Sequence, residues 1–201
     1  MSWIKEIKYE EADANLKNIY NRIKGPANSI DNILSAHSLR PHTLIGHMSL
    51  YKNVIHNSNN TLPKWYLEAL GVYVSRLNNC SYCVQHHSAG MKRLINDEVR
   101  SQAIIVGIES GKFENCFEAR FSEGMLYAEK LTLHSKNITE DDVLKLRGVG
   151  FSDGEILEIN QVVSYFNYAN RTVIGLGVNL NGDILGHSPN NSADANDWTH
   201  S

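Results

Sequence analysis

Hydrophobic residues recur three and four positions apart along most of the chain, which is the spacing of one face of an α-helix. These residues are Leu16, Ile19, Tyr20 and Ile23; Leu44, Met48, Tyr51, Val54 and Ile55; Leu67, Leu70, Val74 and Leu77; Phe117, Phe121, Met125 and Ala128; and Ile156, Ile159, Val163, Phe166 and Val173. No segment alternates apolar and polar residues as a half-buried strand does. The sequence therefore predicts an all-α, multi-helical fold.

Capping and turn residues divide this pattern into separate helices. Pro63 suits a first helical turn, and Ser152 followed three residues later by Glu155 matches a capping box. Asn78 and Asn79 interrupt the helical pattern that begins at Pro63. We therefore expect two antiparallel helices that form a hairpin turning at residues 78–79.

The length and composition indicate a single domain with a tail. A chain of 201 residues is close to the size of one domain. We expect residues 1–186 to form one helical domain and the polar residues 187–201 to form a structureless tail, with Trp198 as its one candidate anchor. Residues 62–95 and 151–177 both carry capped stripes of Ile, Leu and Val, which raises the hypothesis of a duplicated helical unit.

The charge balance argues against nucleic acid and membrane partners. Nineteen Lys and Arg against 22 Asp and Glu leave a net charge of −3, without the basic excess of nucleic-acid-binding proteins. No apolar run approaches the length that spans a bilayer. Residues 1–6 do not resemble a secretory signal, so we expect a cytoplasmic protein. In that reducing compartment Cys80, Cys83 and Cys116 are available for chemistry rather than for structural disulfides.

Cys80 and Cys83 form a C-x-x-C motif that leads into the second helix of the predicted hairpin, and His87 follows four residues later. Positions three and four apart share a helix face, so these three side chains should lie in one line. Glu68 and His87 stand at similar distances on either side of the turn and should therefore be neighbours. The spacing predicts a relay in which Glu68 orients His87 and His87 activates the thiol of Cys83.

The sizes of two effects on the thiol pKa values indicate which cysteine attacks first. A helix dipole contributes about 0.3–1 kcal/mol at either cysteine, whereas an adjacent imidazolium lowers a thiol pKa by about 1–3 units. Only Cys83 lies one turn from His87, so we expect Cys83 to be the nucleophile. Cys80 is then placed to resolve a sulfenic acid on Cys83 as a disulfide, a chemistry that suits a hydroperoxide substrate and an external dithiol reductant.

The order of Glu68, eleven residues, C-x-x-C, three residues and His87 resembles the AhpD-like alkylhydroperoxidases of the carboxymuconolactone decarboxylase superfamily. The stretches NCSYCVQHH (79–87) and YFNYANR (165–171) are most similar to its peroxidase-related branch. The resemblance implies an all-helical fold, homo-oligomers (trimers or hexamers) and reduction of alkyl hydroperoxides, with Cys83 as the attacking and Cys80 as the resolving thiol. AhpD itself has a relay histidine between the cysteines, where this chain has Tyr82.

Two other interpretations of the same four residues stay open. Two cysteines, His87 and Glu68 could bind zinc, although a zinc-binding C-x-x-C usually lies on a turn rather than leading into a helix. They could also pack in a non-catalytic oligomeric module. A third interpretation is a decarboxylase activity like that of other members of the superfamily; it is the weakest, because those enzymes do not need a cysteine pair and the pair is intact here. The redox hypothesis requires no cofactor and no resident metal.

Several other polar residues are expected to have structural roles. His86 should point about 100° away from His87 and lie on the surface or at an interface. Asn167, Asn170 and Arg171 interrupt an apolar helix, which favours buried hydrogen bonds or a subunit contact. His37, His42, His47 and His56 lack partners at ligand spacing, so we expect no site there.

Overall fold

The computed structural model describes residues 1–199, and within them the chain forms α-helices and no β-strand. The helices are α1 (Ala14–Ile23), α2 (Asn32–Ser35), α3 (Pro41–Ile55), α4 (Lys64–Leu77), α5 (Ser81–Ile95), α6 (Glu98–Ser110), α7 (Ala119–Leu133), α8 (Glu140–Gly148) and α9 (Asp153–Leu176). Short 3₁₀ helices lie at Tyr9–Glu11, Pro26–Asn28 and Ser135–Asn137. The all-α prediction is confirmed. None of the described helices has both the length and the apolarity needed to cross a membrane.

Helix α4 is the central helix of the fold. Every residue from Tyr66 to Ser75 is buried, and the helix packs against α5, α7 and α9. A helix that is apolar on all sides belongs in the core. Glu68 is the one charged residue in this buried run. The centre of the core therefore contains a carboxylate, which needs a partner.

Helices α4 and α5 form the predicted hairpin. Asn79 occupies the left-handed region with φ of 57°, which asparagine tolerates better than most residues. The amide of Cys80 then donates to the carbonyl of Ser75, and Cys80 becomes the N-cap of α5. The predicted capping box of Ser152 and Glu155 begins α9. The two segments of the hypothesised duplication differ, since the first is a hairpin and the second is one long helix.

The chain after α9 packs against the helices without forming one itself. Trp198 is 1% exposed, and the guanidinium of Arg22 lies 3.9 Å from the centre of its ring. The buried amine of Lys52 donates to Asn190 and to Ser192. Residues 187–199 are therefore not the structureless tail that their composition suggests, because their polar groups bind polar groups of the helical body. The predicted boundary at 186/187 falls inside this packed segment, and residues 200–201 lie outside the described chain.

The contact between α4 and α9 predicts a strong effect of one methyl group. A Cβ at Gly71 would overlap the ring of Phe166, which is fully buried. We expect Gly71→Ala to lower the free energy of unfolding by about 1–3 kcal/mol because of this overpacking. Gly46→Ala in α3 is the control, since its Cβ meets nothing within 4 Å; it should raise stability by about 0.5–1 kcal/mol. Equal effects of both substitutions in urea titrations would contradict this packing.

Candidate active site

A buried hydrogen bond joins the two helices of the hairpin. The Nδ1 atom of His87 on α5 lies 2.6 Å from Oε2 of Glu68 on α4. The side chain of Glu68 is 2% exposed and that of His87 is 15% exposed. The predicted proximity of these two residues is therefore confirmed.

The Glu68 carboxyl is held in its ionised form. Burial raises its pKa, but the charge and hydrogen bond of His87, with smaller effects of His56 and Arg93, more than offset this, and the net pKa is lowered. An ionised carboxylate can only accept a hydrogen bond, so Nδ1 of His87 carries the proton. The second ring nitrogen, Nε2, is then free to accept a proton from another group.

The two cysteine sulfurs lie 2.9 Å apart and are hydrogen-bonded to each other. Cys80 is 1% and Cys83 is 3% exposed. The hydrogen bond between the two sulfurs is the largest effect on Cys80 and lowers its pKa, whereas the same bond and burial raise the pKa of Cys83. Smaller effects of Asn170 and Ser75 favour a thiolate at Cys83.

This order of thiol pKa values differs from the sequence-based expectation, which gave Cys83 the lower pKa. The reason is that the Sγ–Sγ hydrogen bond and burial are the largest effects on the pKa of Cys83. Among the described residues, the hydrogen bond of His87 goes to Glu68 and none joins His87 to Cys83. The two sulfurs are close enough for a proton to pass between them when one of the thiols is ionised.

A narrow cavity brings together three of the four predicted site residues. Its lining includes Asp31, His47, Tyr51, Glu68, Cys83 and His87. Its volume is about 50 Å³, and because one water molecule needs about 10–15 Å³ of such space, only a few water-sized molecules fit. Cys80 does not line this cavity; it borders a separate surface groove beside Arg76 and Gln85. The cavity therefore reaches the pair at Cys83.

One secondary expectation is confirmed and another is wrong. Asn170 is fully buried, accepts a hydrogen bond from Asn78 and donates one to Ser75, as expected of a satisfied buried amide. His86 is not a surface residue. It is 8% exposed, lines the cavity, and its Nε2 lies 3.2 Å from Asp183. No local pattern pointed to Asp183, which approaches from beyond α9.

Sequence reasoning also missed His47 on α3 and His56, the residue that follows α3, as members of the site. His56 is 2% exposed, and its Nε2 lies 3.6 Å from Oε1 of Glu68, on the opposite side of the carboxylate from His87. His47 lies in the cavity wall beside Tyr51 and Tyr165. The i, i+4 spacing of His47 and Tyr51 marks a shared helix face, but nothing local places His56 beside Glu68.

The four predicted residues are not arranged as the ligands of a zinc ion. No three His, Cys, Asp or Glu side chains within residues 1–199 are grouped so that they could hold a metal. The Cys80–Cys83 pair and the Glu68–His87 pair each form a separate hydrogen bond. The four residues are thus arranged as two pairs rather than as a tetrahedral set.

The buried histidines predict acid-sensitive folding. Burial lowers the pKa of His47 and of His56 from 6.5 to about 3. Below pH 6.5 these two histidines bind protons in the unfolded chain but not in the folded chain. The free energy of unfolding therefore falls as the pH drops from about 6.5 towards 3, and these two groups do not change it above pH 6.5. At pH 5.5 each histidine should cost about 1.4 kcal/mol.

Urea titrations at pH 7.5 and 5.5 measure this loss. In His56→Gln the difference between the two pH values should shrink by about 1.4 kcal/mol, whereas in the exposed control His42→Gln it should not change. An unchanged pH dependence in His56→Gln would show that His56 is not kept neutral by burial.

Comparisons with solved structures identify the fold. No protein-family model matches the sequence, and no curated protein matches it. Solved structures do match. One is the alkylhydroperoxidase AhpD core, an uncharacterized peroxidase-related protein from Ralstonia eutropha JMP134, with 18% identity, a TM-score of 0.77, and coverage of 89% of this chain and 91% of that chain.

Two further structures are similar over the same share of the chain. An uncharacterized peroxidase-related protein from Silicibacter sp. TM1040 is 23% identical, with a TM-score of 0.75 and coverage of 89% of this chain and 91% of that one. The debrominase Bmp8, solved as a cysteine-to-alanine variant with 2,3,4-tribromopyrrole, is 12% identical, with a TM-score of 0.69 and coverage of 89% and 93%. The chain therefore has the AhpD-like fold of the peroxidase-related proteins, as the resemblance of its motifs implied.

Proposed function

We propose that this protein is a thiol-dependent peroxidase that reduces small hydroperoxides through Cys83 and Cys80. The observation that carries the proposal is the cavity in which Cys83 meets the buried Glu68–His87 pair, with Cys80 hydrogen-bonded behind it. A nucleophile, a base and a group that orients the base are the components of an activated thiol. The fold shared with peroxidase-related proteins supports the same class of activity.

The first chemical step forms the sulfenic acid. The Cys83 thiolate attacks one oxygen of the peroxide, the O–O bond breaks, and the other oxygen leaves as an alkoxide or hydroxide that takes up a proton. His87, held by Glu68, accepts the thiol proton on Nε2 and returns it to the leaving oxygen. The thiol is oxidised to sulfenic acid, and the hydroperoxide is reduced to an alcohol or to water.

The second step closes the disulfide. Cys80 loses its thiol proton and attacks the sulfur of the Cys83 sulfenic acid; the S–O bond breaks, and the leaving hydroxide takes up that proton to form water. The short Sγ–Sγ distance of 2.9 Å means that little movement is needed. An external dithiol then reduces the disulfide by exchange, and the dithiol becomes oxidised. The full cycle consumes one hydroperoxide and one dithiol.

Access favours Cys83 as the attacking sulfur even though the hydrogen bond lowers the pKa of Cys80. Cys83 lines the cavity and Cys80 does not. Transfer of the Cys83 proton to His87 leaves the thiolate on the sulfur that the substrate reaches, and Asn170 and Ser75 stabilise the charge there. Cys83, which the substrate can reach, therefore attacks the peroxide, and Cys80 forms the disulfide afterwards.

Reductive dehalogenation is the second candidate, favoured by the shared fold of the debrominase Bmp8. A thiol pair supplies the two electrons that replacement of bromine by hydrogen requires. The cavity of about 50 Å³ is, however, too narrow for a brominated ring. We therefore favour a hydroperoxide, and we keep assembly into trimers or hexamers as a prediction for light scattering.

The Cys83→Ser and Cys80→Ser variants test the proposal. Cys83→Ser should abolish the consumption of hydrogen peroxide, because serine is not oxidised. Cys80→Ser should consume at most one equivalent, because the sulfenic acid on Cys83 has no resolving thiol. Peroxide consumption is measured with dithiothreitol as reductant for the wild type and Cys83→Ser, and without any added thiol for Cys80→Ser, because dithiothreitol would itself reduce the sulfenic acid. Mass spectrometry of the oxidised wild type for a Cys80–Cys83 disulfide is the second readout.

Cys116→Ser is the matched control, since this residue lies away from the cavity. It should retain wild-type turnover. Repeated turnover by Cys83→Ser, or an oxidised wild type without the intramolecular disulfide, would exclude the proposed cycle.

A further inference from the structure

A segment that follows α9 closes one side of the cavity. We call residues 183–188 the strap. Its residues Gly186, His187 and Ser188 line the cavity together with Cys83 and His87. A small cavity in a helical protein can be bounded by helices alone, but here an irregular segment completes the wall. The strap therefore sets how much space a substrate finds beside the thiol.

The strap is fixed at its start by Asp183, whose side chain is 2% exposed. The hydroxyl of Tyr82 donates to Oδ2 of Asp183 at 2.6 Å, and Nε2 of His86 lies 3.2 Å from the same oxygen. The backbone amide of Asn32 donates to both carboxylate oxygens at 3.1 Å. A buried carboxylate with three partners is a strong anchor, because its loss leaves those donors unpaired.

The strap is fixed again at its other end. Gly186 has φ of 81°, and a Cβ there would lie 3.0 Å from Cβ of Ala89, so the strap runs closely against α5. The hydroxyl of Ser188 accepts a hydrogen bond from Arg93 at 3.1 Å. Asp183 anchors the strap before the cavity-lining residues and Ser188 anchors the last of them, so the strap holds the wall in place.

We infer that the strap is the specificity-determining element of the site and restricts it to hydrogen peroxide and other hydroperoxides of a few heavy atoms. The inference rests on the proposed function for the identity of the reaction, and on the anchors and the cavity volume for the size limit. Bulky hydroperoxides such as cumene hydroperoxide are excluded because the strap occupies the space that their organic group needs. Pocket walls of this kind discriminate by about 10- to 200-fold for each group that does not fit.

The inference also gives Tyr82 a role. The residue between the two cysteines is a relay histidine in AhpD, but here its hydroxyl donates to Asp183. Burial and the negative charges of Asp183 and Asp31 raise the pKa of Tyr82, so it stays a protonated donor. The tyrosine between the cysteines thus anchors the strap instead of transferring a proton.

Two variants release the anchor, and one matched control does not. Asp183→Ala removes the acceptor, and Tyr82→Phe removes one donor while it keeps the ring. Asp194→Ala is the control, because this exposed aspartate accepts its hydrogen bond from the nearby amide of Asn196 and does not line the cavity. The readout is the ratio of kcat/KM for cumene hydroperoxide to kcat/KM for hydrogen peroxide, with dithiothreitol as reductant.

We expect this ratio to be low in the wild type and in Asp194→Ala, and to rise by about tenfold or more in Asp183→Ala and Tyr82→Phe. A loss of stability alone would lower both activities together and leave the ratio unchanged. The inference is overturned if the wild type reduces both peroxides equally well, or if the two anchor variants keep the wild-type ratio.

A second readout separates the strap from the proposed chemistry. In a Cys80→Ser, Cys116→Ser background, Cys83 is the one cysteine left, and its alkylation can be timed with iodoacetamide and with the bulkier N-phenylmaleimide. Asp183→Ala should increase the maleimide rate relative to the iodoacetamide rate by about tenfold, and Asp194→Ala should not. If the alkylation ratio changes in this way but the protein has no peroxidase activity, the proposed function is refuted and the strap remains a size filter. An unchanged alkylation ratio would refute the role of the strap as a size filter.

Discussion

The rest of the structure depends on one ionised carboxylate in the middle of an apolar core. Moving a charge from water into such surroundings costs several kcal/mol unless a partner offsets it. Glu68 lies on the most deeply buried helix of the fold, and His87 and His56 approach its two oxygens from α5 and from the end of α3. The need to satisfy this carboxylate with the hydrogen bond of His87 fixes the register of the α4–α5 hairpin, and the two cysteines take their positions from that register.

The same constraint prepares the site for chemistry. Because Glu68 occupies Nδ1 of His87, the free nitrogen of the ring is the one that can accept a proton. The sulfurs are buried, so their protonation is governed by each other and by nearby amide and hydroxyl groups more than by solvent. A narrow cavity that opens on Cys83 then selects which of the two meets a substrate. Stability, proton transfer and access are therefore properties of one small group of contacts.

Local spacing was enough to predict the parts of the site that lie within one hairpin. Counting from the turn at Asn78 and Asn79 placed Glu68 beside His87, and the three-residue interval placed Cys80 beside Cys83. The partners from distant parts of the chain, His56 and Asp183, could not be found this way, because tertiary packing and not helix periodicity brings them in. The order of the thiol pKa values was missed for a related reason: it depends on burial and on a hydrogen bond between the two sulfurs, which spacing does not measure. The polar C-terminal segment looked structureless because its binding partners, such as Lys52, are themselves buried polar groups that composition does not reveal.

The central claim is that the Glu68 carboxylate, acting through His87, makes the thiol pair reactive. Stopped-flow measurement of the second-order rate constant for oxidation of the reduced protein by hydrogen peroxide, in wild type and in Glu68→Gln, tests it most directly. The amide keeps the shape of the side chain but can no longer hold a charged acceptor against Nδ1, so we expect the rate constant to fall by about 10²–10⁴-fold, with unchanged helical circular dichroism. An equal rate constant in the two folded proteins would contradict the account.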